Sequence, residues 1–121
     1  MLTGIDHVVM CVADVETSLR WYVEMFELEP VRLQEWRAGK VPFVSLRVTE
    51  DFVIDLVQTE PNGVNVDHIA LVCDRSFFDG FVAEHAALIE MGPRLLFGAR
   101  GQGQGVYLRD PDGHRVELRT Y

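Results

Sequence analysis

From Ile5 to Val12 almost every position is apolar, the pattern of a strand buried on both faces. Asp14 then stands where a helix N-cap is expected. Val15, Leu19, Tyr22, Val23 and Phe26 follow at the spacing of one helical face, and Pro30 closes the helix. Three strand-like runs come next, at about 31–36, 42–48 and 52–58, with Gly39-Lys40 and Thr49-Glu50-Asp51 as turns between them. After Glu60-Pro61-Asn62-Gly63 the order begins again. Val66 to Cys73 reads as a strand and Asp74 as a second cap. Phe78, Phe81, Val82, His85, Leu88 and Ile89 mark one side of a second helix, which Gly92-Pro93 stops. Strands near 94–97, 105–109 and 114–119 complete the chain. Residues 1–60 and 64–121 thus read as two strand–helix–strand–strand–strand modules within one domain of 121 residues.

The repetition extends to residues that carry chemistry. Asp6-His7-Val8-Val9 recurs as Asp67-His68-Ile69-Ala70, and Ile54-Asp55-Leu56 recurs as Val116-Glu117-Leu118. Each half offers one imidazole on its opening strand and one carboxylate on its closing strand. Two imidazoles with one or two carboxylates suit a divalent metal ion. Strand parity sharpens the case. Val116 and Leu118 point one way, towards a core beneath the helices, so Arg115, Glu117 and Arg119 lie on the opposite face. Asp55 shares its face with Val53 and Val57, and a buried carboxylate in such a stripe needs a partner, a proton or a metal. His85 reads as a half-buried structural residue and His114 as an exposed one beyond the turn Asp110-Pro111-Asp112-Gly113. Cys11 and Cys73 differ in parity relative to the histidines and read as ordinary buried thiols. The glycines between Gly98 and Gly105 read as a mobile loop beside the site. A phosphate cradle would lead into a helix, and this segment links two strands.

Composition narrows the function. A net charge of −8 argues against a nucleic-acid surface. No apolar run is long enough to span a membrane and no secretion signal is evident, so a cytoplasmic protein is expected. Two cysteines make no disulfide framework, in keeping with a reducing compartment.

Three segments together resemble the vicinal oxygen chelate superfamily, the glyoxalase, bleomycin-resistance and extradiol-dioxygenase group. They are Gly4-Ile5-Asp6-His7-Val8-Val9 with the Trp21-Tyr22 helix, Val66-Asp67-His68-Ile69-Ala70-Leu71, and Val106-Tyr107-Leu108-Arg109-Asp110-Pro111-Asp112-Gly113-His114-Arg115-Val116-Glu117. The resemblance implies an α+β fold of two paired βαβββ modules curled into a half-open barrel around one divalent ion. It carries the metal-ligand role to His7, His68 and Glu117, and to Asp55 as a fourth ligand that doubles as the base. Tyr107 falls near the substrate. The ion would be Ni, Zn, Mn, Co or Fe(II). The activity it implies is glyoxalase-type isomerisation or lyase chemistry on a small oxygenated metabolite. The alternatives are an Fe(II)-dependent dioxygenase using His7, His68 and Glu117, and a non-catalytic protein that sequesters an apolar or planar compound against Trp36, Phe43 and Tyr107. The extradiol pattern expects a His between Phe97 and Arg100, and none stands there. A glutathione adduct would find Arg37, Lys40, Arg47 and Arg100 as basic candidates. The resemblance also implies a homodimer, and short curled sheets, which leave strand edges that need cover, are in keeping with it.

Overall fold

The computed structural model of the chain describes residues 1–60, 62–109 and 113–121. Pro61 and the Asp110-Pro111-Asp112 part of the expected turn fall outside that range. The fold is α+β, with elements in the order β1 (Leu2–Val12), α1 (Val15–Phe26), β2 (Glu29–Val31), α2 (Leu33–Arg37), β3 (Val44–Thr49), β4 (Phe52–Gln58), β5 (Val66–Cys73), α3 (Arg75–Glu84), a 3₁₀ turn (Ala86–Leu88), β6 (Met91–Gly98), β7 (Gly101–Arg109) and β8 (Arg115–Thr120). The chain forms two compact units, one of Val8–Asp67 and one in which Met1–His7 joins His68–Tyr121.

In the Val8–Asp67 unit, β2, β3 and β4 form an antiparallel ladder in which Ser45 faces Asp55 and Leu46 faces Ile54. Val15 and Leu19 of α1 pack on Val44, Leu46 and Leu56, with Tyr22, Val23 and Trp36 against their edge. Glu27, in the left-handed region at φ 56°, ends α1, so Pro30 comes too late to be the stop and instead pairs with Leu46 in β2. Phe26 closes the predicted apolar face yet is 57% exposed, its ring edge-on to Trp21. Of the strand expected at 31–36 only Val31, the last residue of β2, is strand. Beyond Arg32 (φ 62°) the chain turns into α2. Leu, Gln, Glu and Arg favour helix, and one helical turn lets Leu33 and Trp36 share the core side.

In the other unit the strand order is β5-β8-β7-β6, with β5 parallel to β8 and the remaining pairs antiparallel. Asp74 caps α3 as expected, its carboxylate accepting from Phe77 N at 2.9 Å. The helix stops at Glu84, before Gly92-Pro93, and leaves Leu88 63% exposed rather than on the buried side. Phe78 packs with Cys73, Val106 and Leu118, which places Leu118 on the helix side of β8 as parity requires. Ile5 is 55% exposed, so β1 is not buried on both faces along its whole length. The segment from Gly98 to Gly105 is not a loop. Gly98 ends β6, Gly101 begins β7, and the ladders to Leu96, Phe97, Arg119 and Thr120 run through it. Among the described residues no helix is long and apolar enough to cross a membrane.

Candidate metal centre

β5 and β8 place Ala70 beside Glu117, so His68, two residues earlier on β5, leaves the sheet on the same face as Glu117. Tyr107 of β7 stands directly opposite Glu117. His7 closes the stretch of β1 that belongs to this unit. His7, His68 and Glu117 are all buried, and their ligand atoms lie within 4.8 Å of one another. His7 Nε2 is 3.1 Å from His68 Nε2 and 3.2 Å from Glu117 Oε2, and His68 Nε2 is 3.3 Å from the same oxygen. Ligand atoms bonded to one divalent ion at about 2.0–2.2 Å stand roughly 3.0–3.5 Å apart. Three lone-pair atoms that converge this closely repel one another unless a cation or proton sits among them. The donor set and its spacing therefore fit a divalent ion.

A second layer holds these groups in place. His7 Nδ1 lies 2.7 Å from Asp6 Oδ2, which directs Nε2 towards the other two ligand atoms. Asp6 also accepts from Ala99 N at 2.9 Å and from the Tyr121 hydroxyl at 2.5 Å. Burial pushes the Asp6 carboxyl up, but the bonds from His7, Tyr121 and Ala99 and the Arg119 charge outweigh it and hold the pKa below the usual value. Glu117 behaves alike. Burial opposes its charge, and the neighbouring His68 and His7 imidazoles with the Arg119 guanidinium pull it well below the ordinary range. Burial and then the Glu117 charge push the Tyr107 phenol far up, so it stays protonated and donates to Glu117 Oε2 at 3.1 Å. Tyr121 is pushed up to about 12 by burial and by its bond to Asp6.

Asp55 belongs to the other unit, on β4, where it is 1% exposed. Ser45 Oγ donates to its Oδ1 at 2.5 Å, and Arg32 Nη2 donates to Ser45 Oγ at 2.6 Å. Trp36 packs on the helix-side core of that unit, the face opposite Asp55, so it does not join Asp55 in lining a cavity. Phe43 lies under the Arg32 guanidinium at 5.2 Å. Two of the basic candidates are engaged locally, Arg37 with Glu16 at 2.8 Å and Arg47 with Glu50 O at 2.8 Å. His85 is half-buried against Phe81, His114 is exposed, and Cys73 sits in the core with its thiol pKa raised by burial. Sequence reasoning gave no role to Asp6, Tyr121 or Arg119. The alternating glycines of β7, discussed below, were the available signal for Arg119.

A family model described as the Glyoxalase/Bleomycin resistance protein/Dioxygenase superfamily matches residues 4–118. The chain belongs to that superfamily. Metallothiol transferase FosB of Shouchella clausii is 29% identical over 99% of this chain and 82% of its own length. Virulence protein STM3117 of Salmonella typhimurium is 26% identical over 100% of this chain and 86% of its own. Among solved structures, the Mn(II)-bound glyoxalase from Novosphingobium aromaticivorans aligns with a TM-score of 0.76 at 25% identity, covering 98% of this chain and 39% of that one. A variant of homoprotocatechuate 2,3-dioxygenase from B. fuscum aligns with a TM-score of 0.72 at 20% identity, covering 99% of this chain and 34% of that one, a likeness of fold alone. The fold is the glyoxalase-like α+β class.

Proposed function

We propose that the protein is a divalent-metal-dependent enzyme that binds a small metabolite through two neighbouring oxygens and moves a proton at the carbon beside a carbonyl. The observation that carries this reading is the 3.1–3.3 Å triangle of His7 Nε2, His68 Nε2 and Glu117 Oε2. These three atoms would hold the ion, which supplies Lewis-acid polarisation of the substrate oxygens. Even with a fourth protein ligand, a six-coordinate ion held by these residues would keep two positions open for substrate oxygens. Asp6 keeps His7 in the tautomer that presents Nε2, and Tyr107 donates to Glu117 and stays protonated. Asp55 is the proposed base and fourth ligand. It is a buried carboxylate whose Oδ1 accepts from Ser45, and Arg32 holds the serine hydroxyl in place. Glyoxalase-type isomerisation or lyase chemistry is the leading class. Likeness to metallothiol transferase FosB along nearly the whole chain favours a second reading, transfer of a thiol to a metal-held substrate, which needs no base at Asp55.

The test begins with chelator-treated protein offered Ni, Co, Zn, Mn and Fe(II) separately. Stoichiometric binding of at least one ion is expected, and binding of none sinks the reading in favour of a non-catalytic binding protein. The loaded protein is then assayed with methylglyoxal–glutathione hemithioacetal, and for oxygen uptake with catechols. Oxygen uptake without isomerisation would replace the proposed class with dioxygenase chemistry.

A further inference from the structure

Arg119 heads the largest side chains that are fully buried, with 0% exposure, and it belongs to no ligand set. Its guanidinium is gripped from several sides. Nη1 donates to Glu117 Oε1 at 2.9 Å and to Phe97 O at 2.8 Å, and Nη2 donates to Leu96 O at 3.0 Å. Nε stands 3.7 Å from Asp6 Oδ2. The space for it exists because β6 and β7 give up side chains. A Cβ at Gly98 would lie 2.2 Å from Arg119 Cζ, one at Gly103 would lie 3.2 Å from Nη2, and one at Gly105 would lie 3.0 Å from Glu117 Oε1.

We propose that Arg119 is a positioning residue for the metal centre. By occupying Glu117 Oε1 it leaves Oε2 as the single carboxylate oxygen facing His7 and His68, and so makes Glu117 a one-oxygen ligand. The assignment rests on the metal-centre reading and deepens it. The physical argument is rigidity. The backbone carbonyls of Leu96 and Phe97 fix the guanidinium in the sheet, so it cannot follow the carboxylate if Glu117 rotates to offer both oxygens. Rotation would break a charge-assisted bond inside the protein and leave a buried cation short of its partner. A lysine cannot replace this, because its ammonium lacks the planar fork that spans a carboxylate and two carbonyls. Holding Glu117 to one oxygen keeps a coordination position open for substrate.

The test uses the full chain with Zn as the probe ion and infrared difference spectra between chelated and loaded protein. One-oxygen binding gives a wider separation of the two carboxylate stretches than the free carboxylate shows, and two-oxygen binding a narrower one. The parent protein should give the wide separation. Arg119→Lys should narrow it and change the intensity of the visible bands of the Co(II)-loaded protein. Gly98→Ala, which crowds the guanidinium without removing its charge, should do the same. A narrow separation in the parent overturns the proposal. So does an unchanged infrared and Co(II) signature in both variants with only the thermal midpoint lowered, since that marks a purely structural arginine. If neither variant folds, the parent spectrum alone decides. Failure of the parent to bind Zn or Co(II) at all is a separate outcome, which removes the metal-centre reading itself.

Discussion

Asp6→Asn changes one atom in a fully buried carboxylate and tests whether the layer behind the ligands governs metal binding. Asp6 Oδ2 meets His7 Nδ1 at 2.7 Å and Ala99 N at 2.9 Å, while Oδ1 takes the Tyr121 hydroxyl at 2.5 Å. An asparagine can place its carbonyl where Oδ2 stands and keep both of those bonds. Its amide then faces Tyr121, whose oxygen already accepts from Arg100 N at 3.1 Å but can take a second donor. The fold should survive. What disappears is the negative charge that makes His7 Nε2 a stronger electron donor and that lies near the Arg119 guanidinium. Losing such a partner typically weakens metal binding by about 10–100-fold, or about 1.4–2.7 kcal/mol. Asp6→Ala should sit at the upper end, because Ala99 N and Tyr121 then lose their acceptor as well. The assay is competition with a chromophoric chelator for Zn, alongside thermal unfolding of the chelated protein. A Zn affinity for Asp6→Asn within about twofold of the parent would refute the claim that Asp6 orients His7 for a metal.

Three further outcomes are expected. Asp55→Asn should keep the fold and abolish proton-transfer turnover if Asp55 is the base; turnover within roughly tenfold of the parent, about 1.4 kcal/mol of barrier, would show that the site works with His7, His68 and Glu117 alone. Phe78→Ala, at a side chain 1% exposed beside Val106 and Leu118, should lower stability by about 3–5 kcal/mol in denaturant titrations of the chelated protein. Asp74 caps α3 and bonds the N-terminal ammonium, interactions that lower its pKa from 3.8 to about 2. A lowered folded pKa gives stability that is present above 3.8 and lost as pH falls through about 2. The thermal midpoint of Asp74→Ala should therefore lie below the parent's at pH 7, and the gap should close between those two values.

The fold class was legible because hydrophobic spacing reports which face of each element is buried. Val15 and Leu19 on α1, Phe78 on α3 and Leu118 on β8 all stand in the cores to which their spacing assigned them. The same parity put Glu117 on the face away from α3. Misreadings arose where local preference and tertiary context part. Leu33 to Arg37 held two apolar residues in a short run, which satisfies a strand count as easily as one helical turn. Leu88 continues a helical periodicity past the point where α3 has already stopped, and Phe26 is the last residue of α1, where the chain is about to leave the helix. Periodicity fixes a face but not an end, and the left-handed Glu27 that ends α1 is not a residue type that announces a stop.

The glycines of β7 carried information of another kind. Low strand propensity made Gly101, Gly103 and Gly105 look like a loop. Their alternation says the opposite, since a period of two belongs to a strand from which one face has been stripped. A stripped face inside a folded unit must be filled from a neighbour, and close packing leaves no void of that size. The neighbour is β8, where Gly105 pairs with Arg119. Glu117 and Arg119 on that face are both fully buried, beside Asp6, an ionic cluster in place of an apolar layer. Such a cluster earns little net stability over a well-packed apolar core. Its placement behind His7 and Glu117 is better explained by what it holds still than by what it adds to folding.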